Sequence, residues 1–397
     1  MKVLLCHNFY RQPGGEDQVY RDECWLLEHY GHDVLRFERF NQSISQTGTL
    51  ALAAMTMWNR QVYRELHDLV RREQPSIVHF HNTFPLISPS AFYAAHRAGA
   101  AVVQTMHNFR TICPGSTLLR QDAICEKCIA RTLAVPSVIH GCYHGSRVQS
   151  GLTAALNAWQ RIGRTIDRCV NRTIALTEHS RNLFIKSGMA ATKLAVKPNF
   201  VRPDPGVSAI ARSGAVFVGR LSAEKGIETL LNAWKQLDTP IPLKILGDGP
   251  MRDQVEQAVR QNPNISWSGQ VPFERVLSEL GQARVLICPS IWYETFGRTM
   301  IEAFATGTPV IASDVGSMKE IVTHGKNGFH FRVGDSSDLA TKVTQYFADP
   351  RWQQDASRMA RAEYETRYCA ETNYETIMAI YRQAIRDRSP ESQEPTA

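Results

Sequence analysis

At 397 residues the chain is long enough for two domains of ordinary size, and its 43% apolar and 21% charged content is that of a folded globular protein. Collagen-like, disordered and coiled-coil classes are excluded, and no stretch approaches the roughly 18 apolar residues of a spanning helix. The net charge of +7 sits in one segment: residues 110–202 hold 14 basic and 4 acidic side chains, against 10 and 10 in residues 1–109 and 21 and 24 in residues 203–397. A local excess of this kind suits an acidic partner: phosphates, anionic lipid or nucleic acid.

The opening run Met1–His7 is too short for a signal peptide and reads as a first strand. A cytoplasmic protein is expected, able to lie peripherally on the cytoplasmic face of a membrane. Short apolar runs follow in order: Val3–Cys6, Ile77–Phe80, Ala101–Thr105, Thr173–Thr177, Ala215–Val218, Leu243–Leu246, Val285–Cys288 and Pro309–Ala312. Their continuous apolarity suits strands buried on both faces, and the segments between them are long enough for crossover helices. The pattern predicts an α/β protein with parallel sheets. Pro198, Pro203 and Pro205 interrupt it, and the strand–helix alternation then restarts. The predicted division is a first domain over 1–202, a second over 203–371, a C-terminal helix over 372–388 and a polar tail over 389–397.

After the first strand, Arg11-Gln12-Pro13-Gly14-Gly15-Glu16-Asp17 carries paired glycines that let backbone approach a ligand. This is not the glycine fingerprint of nicotinamide enzymes. His107-Asn108 follows the strand ending at Thr105, where an imidazole is a candidate donor to a sugar hydroxyl or a phosphate. His79, His81 and His179 read as supporting or structural.

Cys113, Cys125, Cys128 and Cys142 lie in an insertion spanning about 110–145. Their spacing suits a structural zinc site, with free thiols or disulfides as the alternatives. Residues 146–172 read as one amphipathic helix, with Arg161, Arg164, Arg168 and Arg172 at helical spacing and Leu152, Leu156, Trp159, Ile162 and Ile166 supplying apolar contacts. Such a helix lies either on an anionic membrane or against the domain core with its basic side solvated.

In the second half, Val218-Gly219-Arg220-Leu221-Ser222-Ala223-Glu224-Lys225-Gly226 follows a strand, and Arg220 with Lys225 can clamp a diphosphate. Cys288 ends a strand, and a helix is predicted from Phe296 to Gly307. Glu294 then precedes the helix and Glu302 lies inside it, while the backbone N–H groups of Thr295, Phe296 and Gly297 suit a diphosphate. The two carboxylates are better placed to accept from hydroxyls than to meet phosphate.

This run, with Ala305-Thr306-Gly307-Thr308-Pro309-Val310 behind it, resembles the retaining glycosyltransferases of the group 1, or family 4, class. The resemblance implies the GT-B fold, two Rossmann-like domains whose parallel sheets face across a cleft. It implies that Glu294 holds a hydroxyl of the transferred sugar and Glu302 the ribose. Gly247, Asp248 and Val271 would lie in loops around the nucleotide, and Gly14 and Gly15 would meet the phosphate and acceptor side. Relatives often carry Asp after the His at this point; here it is Asn108, which removes an orienting carboxylate. The catalytic set is then Glu294, His107, Arg220 and Lys225.

The implied activity is transfer from a UDP- or GDP-sugar to a saccharide or lipid-linked acceptor in cell-surface polysaccharide or glycolipid assembly. No Asp-x-Asp occurs, which agrees with catalysis without a metal cofactor. A nucleotide-sugar epimerase or hydrolase on the same fold is the alternative enzyme. A non-enzymatic nucleic-acid or membrane adaptor would leave Glu294, Arg220 and Lys225 without purpose; no RNA-binding motif is visible, so nucleic acid is not an expected partner.

Overall fold

The computed structural model describes residues 1–11, 14–46, 48–208 and 210–388. The polar tail predicted over 389–397 lies outside the described residues, as do Gln12 and Pro13. The chain divides into two compact units: residues 1–117, 126–198 and 373–397 in one, and residues 118–125 and 199–372 in the other.

The first unit is built on six parallel strands in the order Asp33–Phe40, Lys2–Phe9, Ile77–Phe80, Ala101–Thr105, Arg172–Ala175, Leu194–Val196. Alternate side chains of a strand point to opposite faces, and both faces are covered. Leu4 and Cys6 join Val78, Phe80 and Val102 in one core cluster, while Val3 and Leu5 join Ile77 and Val103 in another. Ile377, Tyr381 and Ala384 of the C-terminal helix Ala370–Arg388 complete the second cluster.

The second unit repeats the plan with Ile265–Trp267, Leu243–Leu246, Ala215–Val218, Val285–Cys288, Val310–Ser313 and Gly328–Phe331, again all parallel. Its core gathers Phe217, Ile245, Ile287 and Ile311 with Trp234 and Tyr346 from the covering helices.

Two local expectations change. The stretch predicted as one helix over 146–172 breaks: Arg147–Ile162 ends at Gly163, Arg164 turns left-handed at φ 51°, and a short helix Thr165–Cys169 follows. Arg172 is in a strand, where Nε pairs with Asp387 at 2.7 Å, and Arg161 donates to the carbonyls of Ile129 and Arg131. The helix predicted from Phe296 to Gly307 spans Arg298–Ala305, because Gly297 is left-handed at φ 84° and caps it.

Candidate active site

In the second sheet the chain turns both ways from Ala215–Val218: Leu243–Leu246 lies on one side and Val285–Cys288 on the other. The carboxyl ends of strands flanking such a switch are where open α/β sheets bind ligands. The turn after Val218 and the loop after Cys288 meet at Gly226. Its φ is 72°, and a Cβ there would fall 1.8 Å from the Pro289 carbonyl oxygen. This approach carries Lys225 Nζ to 2.5 Å from Glu294 Oε1, and Ser290 Oγ donates to the same oxygen at 2.8 Å. Ser317 Oγ donates to the Glu294 carbonyl at 2.8 Å, and the Trp292 ring stands 5.7 Å from Lys225 Nζ.

Burial opposes the charge on Glu294, but the Lys225 ammonium outweighs it and holds the carboxyl below its usual value. Burial opposes the charge on Lys225 too, and Glu294 raises the ammonium above its usual value. Both groups are therefore charged at neutral pH.

The helix beginning at Arg298 presents its first-turn N–H groups from Gly297 onward into Arg298 and Thr299, two residues later than the predicted Thr295, Phe296 and Gly297. Phe296 is instead buried, its ring 6.1 Å from that of Tyr368. Glu302 is buried, and Arg298 Nε donates to its Oε1 at 2.7 Å, a partner that the sequence reading missed. The signal was present: Arg298 lies one helical turn before Glu302.

The loops after Val218, Leu246 and Trp267 are tied together by backbone. Gly247, at φ 129°, packs so closely on Gly219 that a Cβ would stand 1.9 Å from the Gly219 carbonyl oxygen. Leu221 N–H donates to the Asp248 carbonyl at 3.0 Å and Gly247 N–H to the Gly269 carbonyl at 2.7 Å. Arg220, exposed, and Val271, half-buried, flank these joints. Asp248 uses its carboxylate to accept from Gly249 N–H at 2.7 Å, which stiffens the turn.

The first unit has its own switch point, between Lys2–Phe9 and Ile77–Phe80. Four histidines gather at these strand ends. His7 Nε2 is 2.8 Å from Asp17 Oδ1, and Asn82 N–H donates to His7 Nδ1 at 3.4 Å. Asp17 also accepts from Gly14 N–H at 3.1 Å, which ties the glycine turn to the site. Nothing lies within 4 Å of where a Cβ would stand on Gly14 or Gly15, so this helix start is open. His81 Nδ1 is 2.9 Å from His107 Nε2, and His81 Nε2 faces the buried Glu23 carboxylate at 3.0 Å.

His107, His81, Glu16 and Arg110 line a pocket of about 590 Å³ including its open mouth. The Arg110 guanidinium lies 4.2 Å from the Phe84 ring and 5.2 Å from the Tyr143 ring. Asn108 Oδ1 accepts from Arg110 N–H at 3.0 Å, a turn-forming role in place of an orienting carboxylate.

Among the described residues, the group whose ligand atoms lie close enough to share a metal is Glu23, His79 and His81. Lys197 Nζ already stands 2.5 Å from Glu23 Oε1, and His79 is held by Tyr381 Oη and Thr105 Oγ1, both at 2.8 Å. Its charge and ring nitrogens are thus committed, and this is a buried polar network. Among the described residues the four cysteines of the predicted zinc site, Cys113, Cys125, Cys128 and Cys142, form no disulfide; Cys128 is buried and the other three are half-buried. Cys128 is buried with Ala134 and Ala154, against the half-buried Val138.

Two six-stranded parallel sheets, each with a loop-built site at its switch point, define a GT-B protein. The Anabaena protein Alr3699/HepE, solved in complex with UDP, superposes with a TM-score of 0.68 at 18% identity over 96% of this chain and 99% of that one. Sucrose-phosphate synthase from Thermosynechococcus elongatus gives 0.71 at 18% identity over 97% and 99%. The family described as "Glycosyl transferases group 1" matches residues 212–366 and the "Glycosyl transferase 4-like domain" matches residues 4–199. The chain belongs to the group 1 glycosyltransferase family. It is 30% identical over 175 residues to an uncharacterized glycosyltransferase of Methanocaldococcus jannaschii, covering 43% of this chain and 45% of that protein. It is 29% identical over 187 residues to a glycogen synthase of Mycobacterium tuberculosis, covering 45% of each. The chain thus spans a little under half the length of these curated relatives.

Proposed function

We propose that the chain is a retaining glycosyltransferase that moves a sugar from a UDP- or GDP-sugar to a hydroxyl acceptor and uses no catalytic metal. The observation that carries this reading is the Lys225–Glu294–Ser290 cluster at the switch point of the second sheet, beside the N-terminus of the Arg298–Ala305 helix. Arg220, Lys225 and the helix N-terminus meet the charge that develops on the leaving diphosphate. Glu294 accepts from a hydroxyl of the transferred sugar, and Glu302, steadied by Arg298, from the ribose.

The bond from the anomeric carbon to the phosphate oxygen breaks and the acceptor oxygen attacks from the same face. The acceptor's proton passes to the departing phosphate oxygen. The UDP and UDP-glucose complexes of the Anabaena protein support a uridine donor.

The pocket of the first unit holds the acceptor. A lipid-linked or cell-surface acceptor, approached from the cytoplasmic face of a membrane, is supported by the surface of residues 133–162. Leu133, Val135, Ile139, Val148, Leu152 and Ile162 are exposed there, with Arg147 beside them and Arg164 and Arg168 just beyond. A neighbour of the same fold, a lipopolysaccharide outer core galactosyltransferase, fits that setting (TM-score 0.62, 16% identity). Among the described residues no helix is long and apolar enough to cross a membrane.

The test is a panel of nucleotide sugars assayed for transfer and for hydrolysis, alongside protection from thermal unfolding by UDP and GDP. Transfer with retention and protection lost in Lys225→Met support the reading. Protection unchanged in Lys225→Met would overturn the assigned site, and hydrolysis without transfer would favour a hydrolase.

A further inference from the structure

The basic segment 110–202 begins inside the pocket of the first unit. Its first member, Arg110, lines that pocket together with Thr111, Asn157 and Gln160. The backbone of Arg110 is pinned on both sides: its N–H donates to Asn108 Oδ1 at 3.0 Å, and its carbonyl accepts from Asn157 Nδ2 at 2.6 Å. The side chain is held by two rings that meet edge to face, Phe84 at 4.2 Å and Tyr143 at 5.2 Å from the guanidinium carbon. Aromatic rings attract the cation but offer it no oxygen acceptor, so its N–H donors are not used up by this contact.

Those donors are left unmet. Among the described residues the Arg110 guanidinium has no hydrogen-bond or ion-pair partner, and Nη1 is buried. Arginine is always charged, and a half-buried guanidinium normally spends its fork on a carboxylate or carbonyls. Glu16, across the same pocket, is not that partner. Its Oε2 takes the Tyr10 hydroxyl at 2.8 Å, and burial raises its carboxyl to about 7 against the pull of Tyr10, His81 and Arg110. Gln104 Oε1 and Thr111 Oγ1 belong to the same lining and are also buried without partners. The pocket thus presents one fixed cation and further unpaired polar groups.

We infer that Arg110 sets the specificity of this pocket by receiving an oxyanion, a carboxylate or a phosphate, carried by the acceptor. The fork of a guanidinium matches either group with two parallel hydrogen bonds, and both share the charge that a neutral saccharide lacks. The stacked rings and the pinned backbone hold the guanidinium in place before the ligand arrives, which lowers the ordering cost of binding. The assignment of the anion to the acceptor rests on the proposed reading of the pocket; the anion site itself does not.

The test is the Arg110 side-chain 15Nε–1H signal of the full chain in mildly acidic buffer, identified by its loss in Arg110→Lys. Should that variant not fold, the signal is identified instead by the ring-current shift it loses in Phe84→Leu. Sodium acetate and inorganic phosphate are titrated separately to tens of millimolar, against sodium chloride at equal ionic strength. A saturable shift with acetate alone points to an acidic sugar, and one with phosphate alone to a phosphorylated acceptor; either supports the inference. No saturable shift with either, or the same shift with chloride, would overturn it. UDP at the concentration that saturates thermal protection should leave the signal unmoved, and a shift there would give Arg110 to the donor and overturn the acceptor role. A silent Arg110 would leave the transferase reading standing, and an anion response in a chain that transfers no sugar would leave the anion site standing.

Discussion

Glu23 and Lys197 form an ion pair with neither side chain more than 1% exposed, joining the Gly15–His29 helix to the end of the Leu194–Val196 strand. Asn373 of the C-terminal helix accepts from the same ammonium at 3.1 Å and donates to the Pro198 carbonyl at 2.6 Å. The pair thus anchors three separate segments of the first unit. Breaking a buried pair from one side leaves an uncompensated charge, worth about 3–5 kcal/mol. Lys197→Met should lower the urea unfolding free energy by that amount. The double variant Lys197→Met/Glu23→Gln should recover most of it, and additive losses would show that the pair is not coupled.

Lys225 and Glu294 should behave as a functional pair. Glu294→Gln keeps the volume and the Ser290 contact but removes the charge, and kcat should fall about 100-fold, the scale of a lost transition-state contact. The fold should survive by circular dichroism. Gly226→Ala should act on the same pair from a distance. Its left-handed φ of 72° and the contact with Pro289 forbid a Cβ. A stability loss of at least about 2 kcal/mol together with reduced turnover is expected.

Glu16 gives a pH dependence with a definite sign. Burial, aided by the charge of Asp17 and opposed by the hydrogen bond from Tyr10, raises its carboxyl from 4.5 to about 7. The folded state therefore binds this proton more tightly than the unfolded chain does. The stability from this group is fully present below pH 4.5 and is lost as pH rises through about 7. Glu16→Gln should flatten that slope, so its urea midpoint relative to the unmodified chain should rise between pH 4.5 and 7. A parallel shift at all pH values would assign the slope to other groups.

The apolar and basic surface of residues 133–162 predicts binding to vesicles containing anionic lipid, weakened by salt. Val148 and Ile162 are 75% and 71% exposed, so Val148→Asp and Ile162→Asp should reduce co-flotation without lowering the thermal midpoint. Binding that ignores both anionic lipid and salt would dismiss this surface.

Eight strands were legible because each is a central strand, or next to one, with a continuous apolar run such as Ile77–Phe80 or Val285–Cys288. Among the described residues, the four that escaped in the two six-stranded sheets, Asp33–Phe40, Leu194–Val196, Ile265–Trp267 and Gly328–Phe331, are the edge strands of those sheets. An edge strand such as Asp33-Val34-Leu35-Arg36-Phe37-Glu38-Arg39-Phe40 mixes charged and apolar residues because part of it meets solvent. Periodicity tuned to full burial passes over it.

The sequence by itself determined the α/β plan and the two switch-point loops, because those signals are local and lie within one strand–loop–helix unit. Tertiary structure alone decided which groups face one another. It joined Lys225 to Glu294 across 69 positions of chain and Glu23 to Lys197 across 174, and it brought His81 within 2.9 Å of His107. The reason is physical: a charge or ring nitrogen is defined by its partners, and those partners are brought together by packing rather than by spacing.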